Sequence, residues 1–253
     1  MSVTVDPKKW SEGRVVELYP WAERLYSLRV EADIEPFQAG QFGRLALVID
    51  NELVSRPYSF VNAPDERPLD FCFIVIPDGT LTPRLASLRP SDRVWVARKG
   101  AGFFVLNQVP EGKHLWMLAT GTALGPFLSI LKTPEPWQRF EKIVLVHGVR
   151  TRAELAYQET IQHFRQAHPD QFQFFASVTR EICPNAFHSR IPQAIESGAL
   201  EQLAGIKLMP EDSQVMICGN PAMVKETVAL LKSRGLTENL RKQPGQITTE
   251  RYW

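Results

Sequence analysis

The sequence predicts two domains, an antiparallel Greek-key β-barrel followed by an α/β domain built on a parallel sheet. The chain has 253 residues, which suits two domains of ordinary size. Its first half contains short segments that alternate apolar and polar residues at the period of a β-strand. Its second half alternates buried strands with helical segments, the pattern of a parallel sheet covered by helices. We place the domains at residues 1–110 and 111–253, with the boundary in the turn-rich stretch 109–112.

The first half holds candidate strands separated by turn-forming residues. They are residues 14–18, 25–30, 45–49, 58–61, 69–76 and 93–97. Short strands with few helices between them indicate a closed antiparallel barrel. One helix is expected at residues 82–88, because Pro83 suits a first helical turn and Leu85 and Leu88 share a face.

The second half changes to strands that alternate with helices. The predicted strands are residues 114–119, 143–147, 172–178 and 215–218. The predicted helical segments are residues 126–131, 153–164, 191–203 (as a broken helix) and 223–232. The first of these strands ends at the turn Thr120-Gly121-Thr122, which in an open parallel sheet faces the ligand crevice. This turn lacks the G-x-G-x-x-G spacing, so a standard Rossmann dehydrogenase is disfavoured.

Composition excludes several classes of protein. A net charge of +1 gives no global reason to expect nucleic-acid binding, and the apolar runs are too short to cross a bilayer. The N-terminal residues lack an apolar signal segment, so we expect a cytoplasmic protein that does not insert in membranes. Cys72, Cys183 and Cys218 are widely spaced, which predicts neither a metal site nor a disulfide framework. We expect a monomer.

The run Arg56-Pro57-Tyr58-Ser59 combines residues suited to a large planar anionic ligand. The guanidinium of Arg56 can grip a phosphate, and Pro57 keeps the chain extended. Tyr58 can then lie against a planar ring while Ser59 bonds to its edge. Taken alone, the same four residues also fit an ordinary edge strand with an exposed arginine.

Other short motifs follow in a fixed order along the chain. They are Ala39-Gly40-Gln41-Phe42, Gly79-Thr80-Leu81-Thr82, Thr120-Gly121-Thr122, Cys218-Gly219-Asn220-Pro221 and the ending Tyr252-Trp253. With the Arg56 motif, this order resembles the ferredoxin–NADP reductase family over nearly the whole chain, and it looks closest to the bacterial ferredoxin/flavodoxin–NADP reductases. The resemblance implies a barrel that binds FAD and a parallel-sheet domain that binds NADP(H).

The resemblance implies an FAD site in the first half and the tail. Arg56 would pair with the pyrophosphate, Tyr58 would stack on the isoalloxazine, and Ser59 would approach its N5 atom. Tyr252 would cover the second flavin face and move aside for nicotinamide, while Trp253 would lie at the adenine. The remaining assigned FAD contacts are Pro57, Cys72, Phe73, Ile74, Val75, Thr80, Leu81, Thr82 and Thr122. Residues 72–75 are equally consistent with plain barrel core.

The resemblance also implies how the second half would bind NADP(H). Arg150, Arg180 and Arg190 follow successive sheet elements and match arginines of the bacterial reductases, where converging guanidinium groups could hold a 2′-phosphate. Each alone could be a solvated surface charge. Gly219 and Asn220 complete the assigned nucleotide contacts, and Cys218 would lie near the nicotinamide carbon that gives up hydride. The assigned catalytic residues are Ser59, Cys218 and Tyr252; Glu250 is given no role in proton transfer.

The function implied is that of a flavoprotein oxidoreductase that moves electrons between NADPH and ferredoxin or flavodoxin. Such carriers are usually acidic, and a group of basic residues in the first half offers complementary charge, although solubility explains it equally well. This basic group is Arg84, Arg89, Arg93, Arg98 and Lys99. Two alternatives stay open: the reductase component of an oxygenase system, and a non-enzymatic flavin-binding regulatory subunit.

Overall fold

The computed structural model describes residues 4–251, with Arg251 described by its backbone alone. Tyr252 and Trp253, which were assigned to FAD, lie outside the described residues. The chain forms two compact units. The first comprises the chain up to Val105 together with Gly125–Thr133, and the second comprises Leu106–Leu124 with the chain from Pro134 onward. The limits 1–110 and 111–253 stay a prediction.

The first unit is built on a six-stranded antiparallel sheet. Its strands are β1 (Trp10–Ala22), β2 (Leu25–Glu31), β3 (Phe42–Ile49), β4 (Glu52–Ser59), β5 (Leu69–Ile74) and β6 (Arg93–Ala97). They lie in the order β4-β3-β6-β1-β2-β5. An antiparallel bridge between Phe60 and Phe71 joins the chain after β4 to β5, so the two outer strands approach each other as in a barrel. The predicted antiparallel barrel is confirmed.

The hairpin of β3 and β4 shows why β4 begins six residues earlier than expected. Ile49 pairs with Glu52, so the connection is the two residues Asp50 and Asn51. Both have positive φ, at 50° and 63°, as a tight hairpin turn requires. Asp and Asn tolerate this conformation better than most residues, and the Asp-Asn pair therefore starts a strand immediately after it.

The predicted helix at residues 82–88 is wrong in its length. Helix α1 covers only Thr82–Leu85. After α1 the backbone hydrogen bonds span three residues and no longer four: the Leu88 N–H donates to the Leu85 carbonyl. Pro90 disfavours a helical conformation for Arg89, so the chain has to leave the helix before that point.

Helix α2 (Leu124–Leu131) packs with the first unit from Gly125 onward, although it follows a strand of the second. The Ser129 hydroxyl donates to the Asn62 carbonyl at 2.7 Å. The rings of Phe127 and Phe104 meet edge to face, with centroids 5.4 Å apart. These contacts include buried groups on both sides, so this helix is part of the first unit's core.

The second unit contains a parallel sheet, as predicted, but the sheet has six strands where four were expected. Its strands are β7 (His114–Thr120), β8 (Lys142–Val149), β9 (Phe172–Val178), β10 (Ala186–Phe187), β11 (Ser213–Gly219) and β12 (Ile247–Arg251). The order is β10-β9-β8-β7-β11-β12. Its helices are α3 (Glu135–Arg139), α4 (Gln158–Ala167), α5 (Ile191–Glu196), α6 (Ala199–Ala204) and α7 (Pro221–Ser233). Strands β7, β8 and β11 are almost wholly buried, which explains their continuous apolar sequences.

Two helical predictions in the second unit have different outcomes. The helix expected at residues 153–164 is instead a short 3₁₀ turn, Arg152–Glu154, followed by α4 from Gln158. Tyr157 lies between them with φ of 57°, a conformation that no α-helix contains. The break expected within residues 191–203 is present, because Gly198 has φ of 75° and separates α5 from α6. None of the described helices is long and apolar enough to span a membrane.

Candidate functional site

The end of β4 presents the Arg56 motif at the edge of the first unit. Arg56 is exposed, and among the described residues its side chain donates to the neighbouring Ser55 carbonyl alone, at 2.8 Å. No described carboxylate lies within 4 Å of its guanidinium, so the positive charge is available to an anion. Ser59, three residues later, is buried.

Tyr58 is held with its ring half-buried. Its ring meets that of Phe73 on β5 edge to face, with centroids 6.2 Å apart and planes at 73°. Burial raises the pKa of Tyr58 to about 12, more than the positive charge of Arg56 lowers it. The phenol is therefore neutral at physiological pH and supplies an uncharged aromatic surface.

Strand β5 offers a backbone edge beside this motif. On one side it pairs with β2, in a register that places Tyr26 opposite Phe73. Beyond the bridge between Phe60 and Phe71, no other described strand pairs with its second side. An edge strand next to an aromatic ring and a guanidinium that no described carboxylate neutralises fits a flat ligand that carries phosphates.

The turn before α1 is fixed by its own hydrogen bonds. The Ile76 N–H donates to the Thr82 hydroxyl at 2.9 Å, and the Gly79 N–H donates to the Ile76 carbonyl at 2.9 Å. Thr80 is exposed at the tip, while Leu81 and Thr82 are buried. Sequence-predicted FAD residues 72–75 and 80–82 thus lie on two consecutive, well-anchored segments of the same unit.

In the second unit, the carboxyl ends of β7 and β11 meet where the strand order reverses. Chain connections leave in opposite directions from such a point, which opens a crevice that commonly binds ligands. The Asn220 N–H donates to the Thr120 hydroxyl at 2.9 Å, which ties the two strand ends together. Gly121 has φ of 57°, and a Cβ atom added there would meet nothing within 4 Å. The crevice is therefore open beside this turn.

Gly219 allows the backbone to pass unusually close to Thr120. Its φ is 134°, and a Cβ built at this position would lie 2.1 Å from the Thr120 hydroxyl oxygen. Only glycine fits both the conformation and the space. The side chain of Asn220 is the N-cap of α7, accepting from the Ala222 N–H at 2.9 Å. The predicted contact of Asn220 with a nucleotide therefore falls to its backbone or its remaining amide group.

The structure places two of the three predicted arginines side by side. The Arg180 N–H donates to the Arg150 carbonyl at 2.9 Å, so the two residues follow adjacent strands β9 and β8. Both are exposed, and no described carboxylate lies within 4 Å of either guanidinium. Arg190, in contrast, pairs with Glu226 of α7 at 2.9 Å. Within the part of the chain that the structure describes, Arg150 and Arg180 therefore offer charge without an acidic partner at the carboxyl edge of the sheet.

Sequence reasoning missed His147, which counted only as the end of a strand. Its Nε2 lies 2.9 Å from the carbonyl oxygen of Gly121, in the turn at the crevice. Burial lowers the pKa of His147 to about 4, although the bond to Gly121 opposes this shift. A histidine alone among apolar residues near the carboxyl end of a strand was the signal available in the sequence.

Cys218 and Glu250 face one another across the pairing of β11 with β12. Cys218 is fully buried. The Oε2 atom of Glu250 is buried without a hydrogen-bond partner among the described residues. Burial raises the pKa of Glu250 from 4.5 to about 7.

This raised pKa predicts a pH-dependent effect of Glu250→Gln. Between pH 4.5 and 7 the folded protein binds more protons at Glu250 than the unfolded chain, so this group makes stability fall as pH rises. At pH 8 the variant should exceed the parent in free energy of unfolding by at most about 3 kcal/mol, less where solvent screens the carboxylate. At pH 4.5 the difference should vanish.

Urea unfolding at both pH values measures this effect. The exposed Glu196→Gln serves as a control that should follow the parent at both. Identical pH profiles for Glu250→Gln and the parent would contradict the burial of the charged carboxylate.

The two units and their sites define a class of protein. A family model described as the oxidoreductase NAD-binding domain matches residues 117–229, which include the crevice of the second unit. The match indicates an oxidoreductase whose second unit binds a nicotinamide nucleotide.

Comparison with individual proteins is more specific. The chain is 46% identical to the flavodoxin/ferredoxin–NADP reductase of Escherichia coli (strain K12) over 245 residues, covering 96% of this chain and 99% of the relative. It is 37% identical to the ferredoxin–NADP reductase of Pseudomonas aeruginosa, covering 94% and 95%. The crystal structure of a ferredoxin NADP+ reductase from Neisseria gonorrhoeae with bound FAD and NADP is similar, with a TM-score of 0.92, 32% identity, and coverage of 97% and 99%. The chain belongs to the flavodoxin/ferredoxin–NADP reductase family. The predicted family, fold and enzyme class are confirmed.

Proposed function

We propose that this oxidoreductase transfers electrons between NADPH and a small one-electron carrier, ferredoxin or flavodoxin, with FAD as its resident cofactor. The observation that supports this most is the identity of 46% to the E. coli flavodoxin/ferredoxin–NADP reductase over 96% of the chain. The predicted cofactors agree with the FAD and NADP named for the similar Neisseria structure. When bound, FAD supplies the redox chemistry, because it exchanges electrons in pairs with a nicotinamide and singly with a carrier.

The first unit would hold FAD through the residues at the ends of β4 and β5. Arg56 contributes a guanidinium without a described acidic partner for the pyrophosphate, and Tyr58 contributes a neutral ring for the isoalloxazine. Ser59 is assigned to the flavin N5 edge. The remaining FAD contacts stay as predicted from the sequence: Pro57, Cys72, Phe73, Ile74, Val75, Thr80, Leu81, Thr82, Thr122, Tyr252 and Trp253.

The second unit would hold NADP(H) along the carboxyl edge of its sheet. Arg150 and Arg180 are suited to the 2′-phosphate, since neither has an acidic partner within 4 Å among the described residues. Arg190 could contact the same phosphate only if its ion pair with Glu226 were broken or shared with the phosphate. Gly219 and Cys218 would act by positioning the nicotinamide. Because Gly219 has no side chain, the nicotinamide can approach the end of the strand closely.

The basic group of the first unit gives little support to charge recognition of an acidic carrier. Four of its members face a carboxylate: Arg84 with Asp50 at 4.0 Å, Arg93 with Glu12 at 3.6 Å, Arg98 with Asp33 at 3.4 Å and Lys99 with Glu35 at 3.7 Å. Each of these pairs cancels much of the field that would attract a partner. The arrangement favours a role in solubility for these four, and it leaves Arg89 for contact with a carrier.

Arg56→Ala tests the flavin assignment. The purified parent should be yellow and release FAD, not FMN, on denaturation. Removing the guanidinium loses a charge-assisted contact worth roughly 1.5–3 kcal/mol, so FAD affinity should fall by about tenfold or more. Flavin content after gel filtration, read by absorbance and chromatography of the released cofactor, measures the loss.

Arg44→Ala is the matched control. Arg44 lies in the same hairpin, pairs with Pro57 in register and bonds to Ser55, so it occupies the opposite face from Arg56. Its removal should leave flavin content unchanged. A parent that retains no FAD after reconstitution, or that fails to reduce ferricyanide with NADPH, would refute the proposed function itself.

A further inference from the structure

His147 is a buried polar residue that the proposed reaction leaves unused. It lies on β8 between Ala119 of β7 and Ala176 of β9, and only 1% of its surface is exposed. Its Nε2 is 2.9 Å from the Gly121 carbonyl oxygen, while its Nδ1 is buried with no hydrogen-bond partner among the described residues. The other residues of β8 from Ile143 to Val146 are apolar.

The hydrogen bond fixes the state of the ring. A carbonyl oxygen only accepts, so Nε2 must carry a proton. Because burial lowers the pKa of His147 to about 4, the ring is neutral at pH 7, and Nδ1 is therefore bare. A buried acceptor without a donor destabilises the fold. An apolar side chain would fill this core position without that cost, so packing alone does not explain a histidine here.

The same bond orients the turn at the crevice. The Gly121 carbonyl also accepts from the N–H of Leu124, so two donors hold it toward the protein interior. A trans peptide is planar, with its C=O and N–H pointing in opposite directions. The N–H of Thr122, which belongs to the same peptide, is therefore directed away from the Nε2 atom of His147. A Cβ built on the neighbouring Gly121 would meet nothing within 4 Å, so there is free space at this turn.

We propose that His147 is a positioning residue: its Nε2–H holds the Gly121 carbonyl so that the main-chain N–H of Thr122 faces the crevice and donates to an oxygen of NADP(H), in addition to the FAD contact assigned to Thr122. This inference rests on the proposed function for its ligand. The residue does not touch the reacting atoms, and its effect on the rate comes through the turn.

Two variants of His147 separate the hydrogen bond from the packing. His147→Leu fills the site without a donor, whereas His147→Gln retains an N–H at a similar reach. With FAD bound, His147→Leu should lower the limiting rate of flavin reduction by NADPH about fivefold or more, because small displacements of a ligand cost much in rate. His147→Gln should recover most of that rate. Binding of 2′-phospho-AMP, which the arginines would hold, should be unchanged in both.

Ser213→Ala is the matched control. Ser213 is also buried and hydrogen-bonded, but it lies at the amino end of β11, away from the crevice. Its substitution should leave the rate of flavin reduction at the parent's value. A general loss of sheet stability would slow both His147→Leu and Ser213→Ala.

Nuclear magnetic resonance gives a readout that does not depend on turnover. Nitrogen-15 shifts should show His147 of the parent protonated at Nε2 at pH 7, and the Thr122 amide signal should move in His147→Leu and return in His147→Gln. An Nδ1-protonated ring, an unmoved Thr122 signal, or equal rates in His147→Leu and the parent would each overturn the inference. So would a His147→Gln variant as slow as His147→Leu. Lack of NADPH oxidation in the parent would refute the proposed function instead. The protonation of His147 at Nε2 and the shift of the Thr122 amide signal would still decide the role of His147.

Discussion

Gly219→Ala should lower the rate at which NADPH reduces the flavin by at least about tenfold. It should also lower the free energy of unfolding by roughly 2–4 kcal/mol. The added Cβ would lie 2.1 Å from the Thr120 hydroxyl oxygen and 3.1 Å from the Thr120 nitrogen. Thr120 cannot simply rotate away, because its hydroxyl accepts the Asn220 N–H and its β-branched side chain is stiff. Relief of the clash must therefore separate the ends of β7 and β11, which form the crevice. Stopped-flow reduction and urea unfolding measure the two effects.

Gly205→Ala is the control for this substitution. Gly205 also has positive φ, at 67°, but a Cβ there would meet nothing within 4 Å. It should lose only about 1 kcal/mol of stability, the usual cost of a side chain in this conformation, and keep full activity. Equal losses in the two variants would mean that backbone conformation alone, and not the close approach to Thr120, makes Gly219 necessary.

Arg180→Ala should raise the Michaelis constant for NADPH by about tenfold or more, since a charge-assisted contact contributes roughly 1.5–3 kcal/mol. The constant for NADH should change far less, because NADH has no 2′-phosphate to lose. The exposed guanidinium of Arg180 has no described acidic partner within 4 Å, so its removal should not strand a buried charge. Steady-state oxidation of each nucleotide with ferricyanide gives both constants.

Arg165→Ala provides the comparison. Arg165 is an exposed arginine of α4 in the same unit, with no assigned role. It should leave both constants unchanged, which separates a specific contact from a loss of general positive charge. If Arg180→Ala raises the Michaelis constants for NADPH and NADH by the same factor, this arginine contacts a group common to both nucleotides. The preference for NADPH then needs another explanation.

Elements with strong local patterns could be predicted from the sequence, and those that depend on tertiary contacts could not. Strand β9 was predicted with its observed limits, since its apolar residues end at clear turns. Strand β12 was missed, because Ile-Thr-Thr-Glu-Arg has little apolar pattern and its pairing comes from β11, some thirty positions earlier in the chain. The short α3 was missed for a similar reason: five residues are too few for a helical period to show.

In the candidate site, too, local sequence patterns could be predicted and features that depend on tertiary contacts could not. The residue types of the Arg56 motif suggested a ligand, but only resemblance to a family gave each residue a role. The bond of His147 to Gly121 joins residues 26 positions apart and leaves no trace in local spacing. The basic group also depends on tertiary contacts, since the carboxylates that pair with Arg93, Arg98 and Lys99 lie far from them in sequence.

Helix α2 limits how evolution or an engineer can recombine this chain. A gene fusion that exchanged the barrel at residue 110 would leave behind Gly125–Thr133, which packs with the unit that was moved. The transplanted barrel would expose the carbonyl of Asn62 and the ring of Phe104, which Ser129 and Phe127 otherwise cover. Because the polypeptide leaves the first unit after Val105 and returns at Gly125, the smallest portable barrel is a discontinuous segment of sequence. Functional chimeras between members of this family should therefore inherit α2 and the barrel from the same parent.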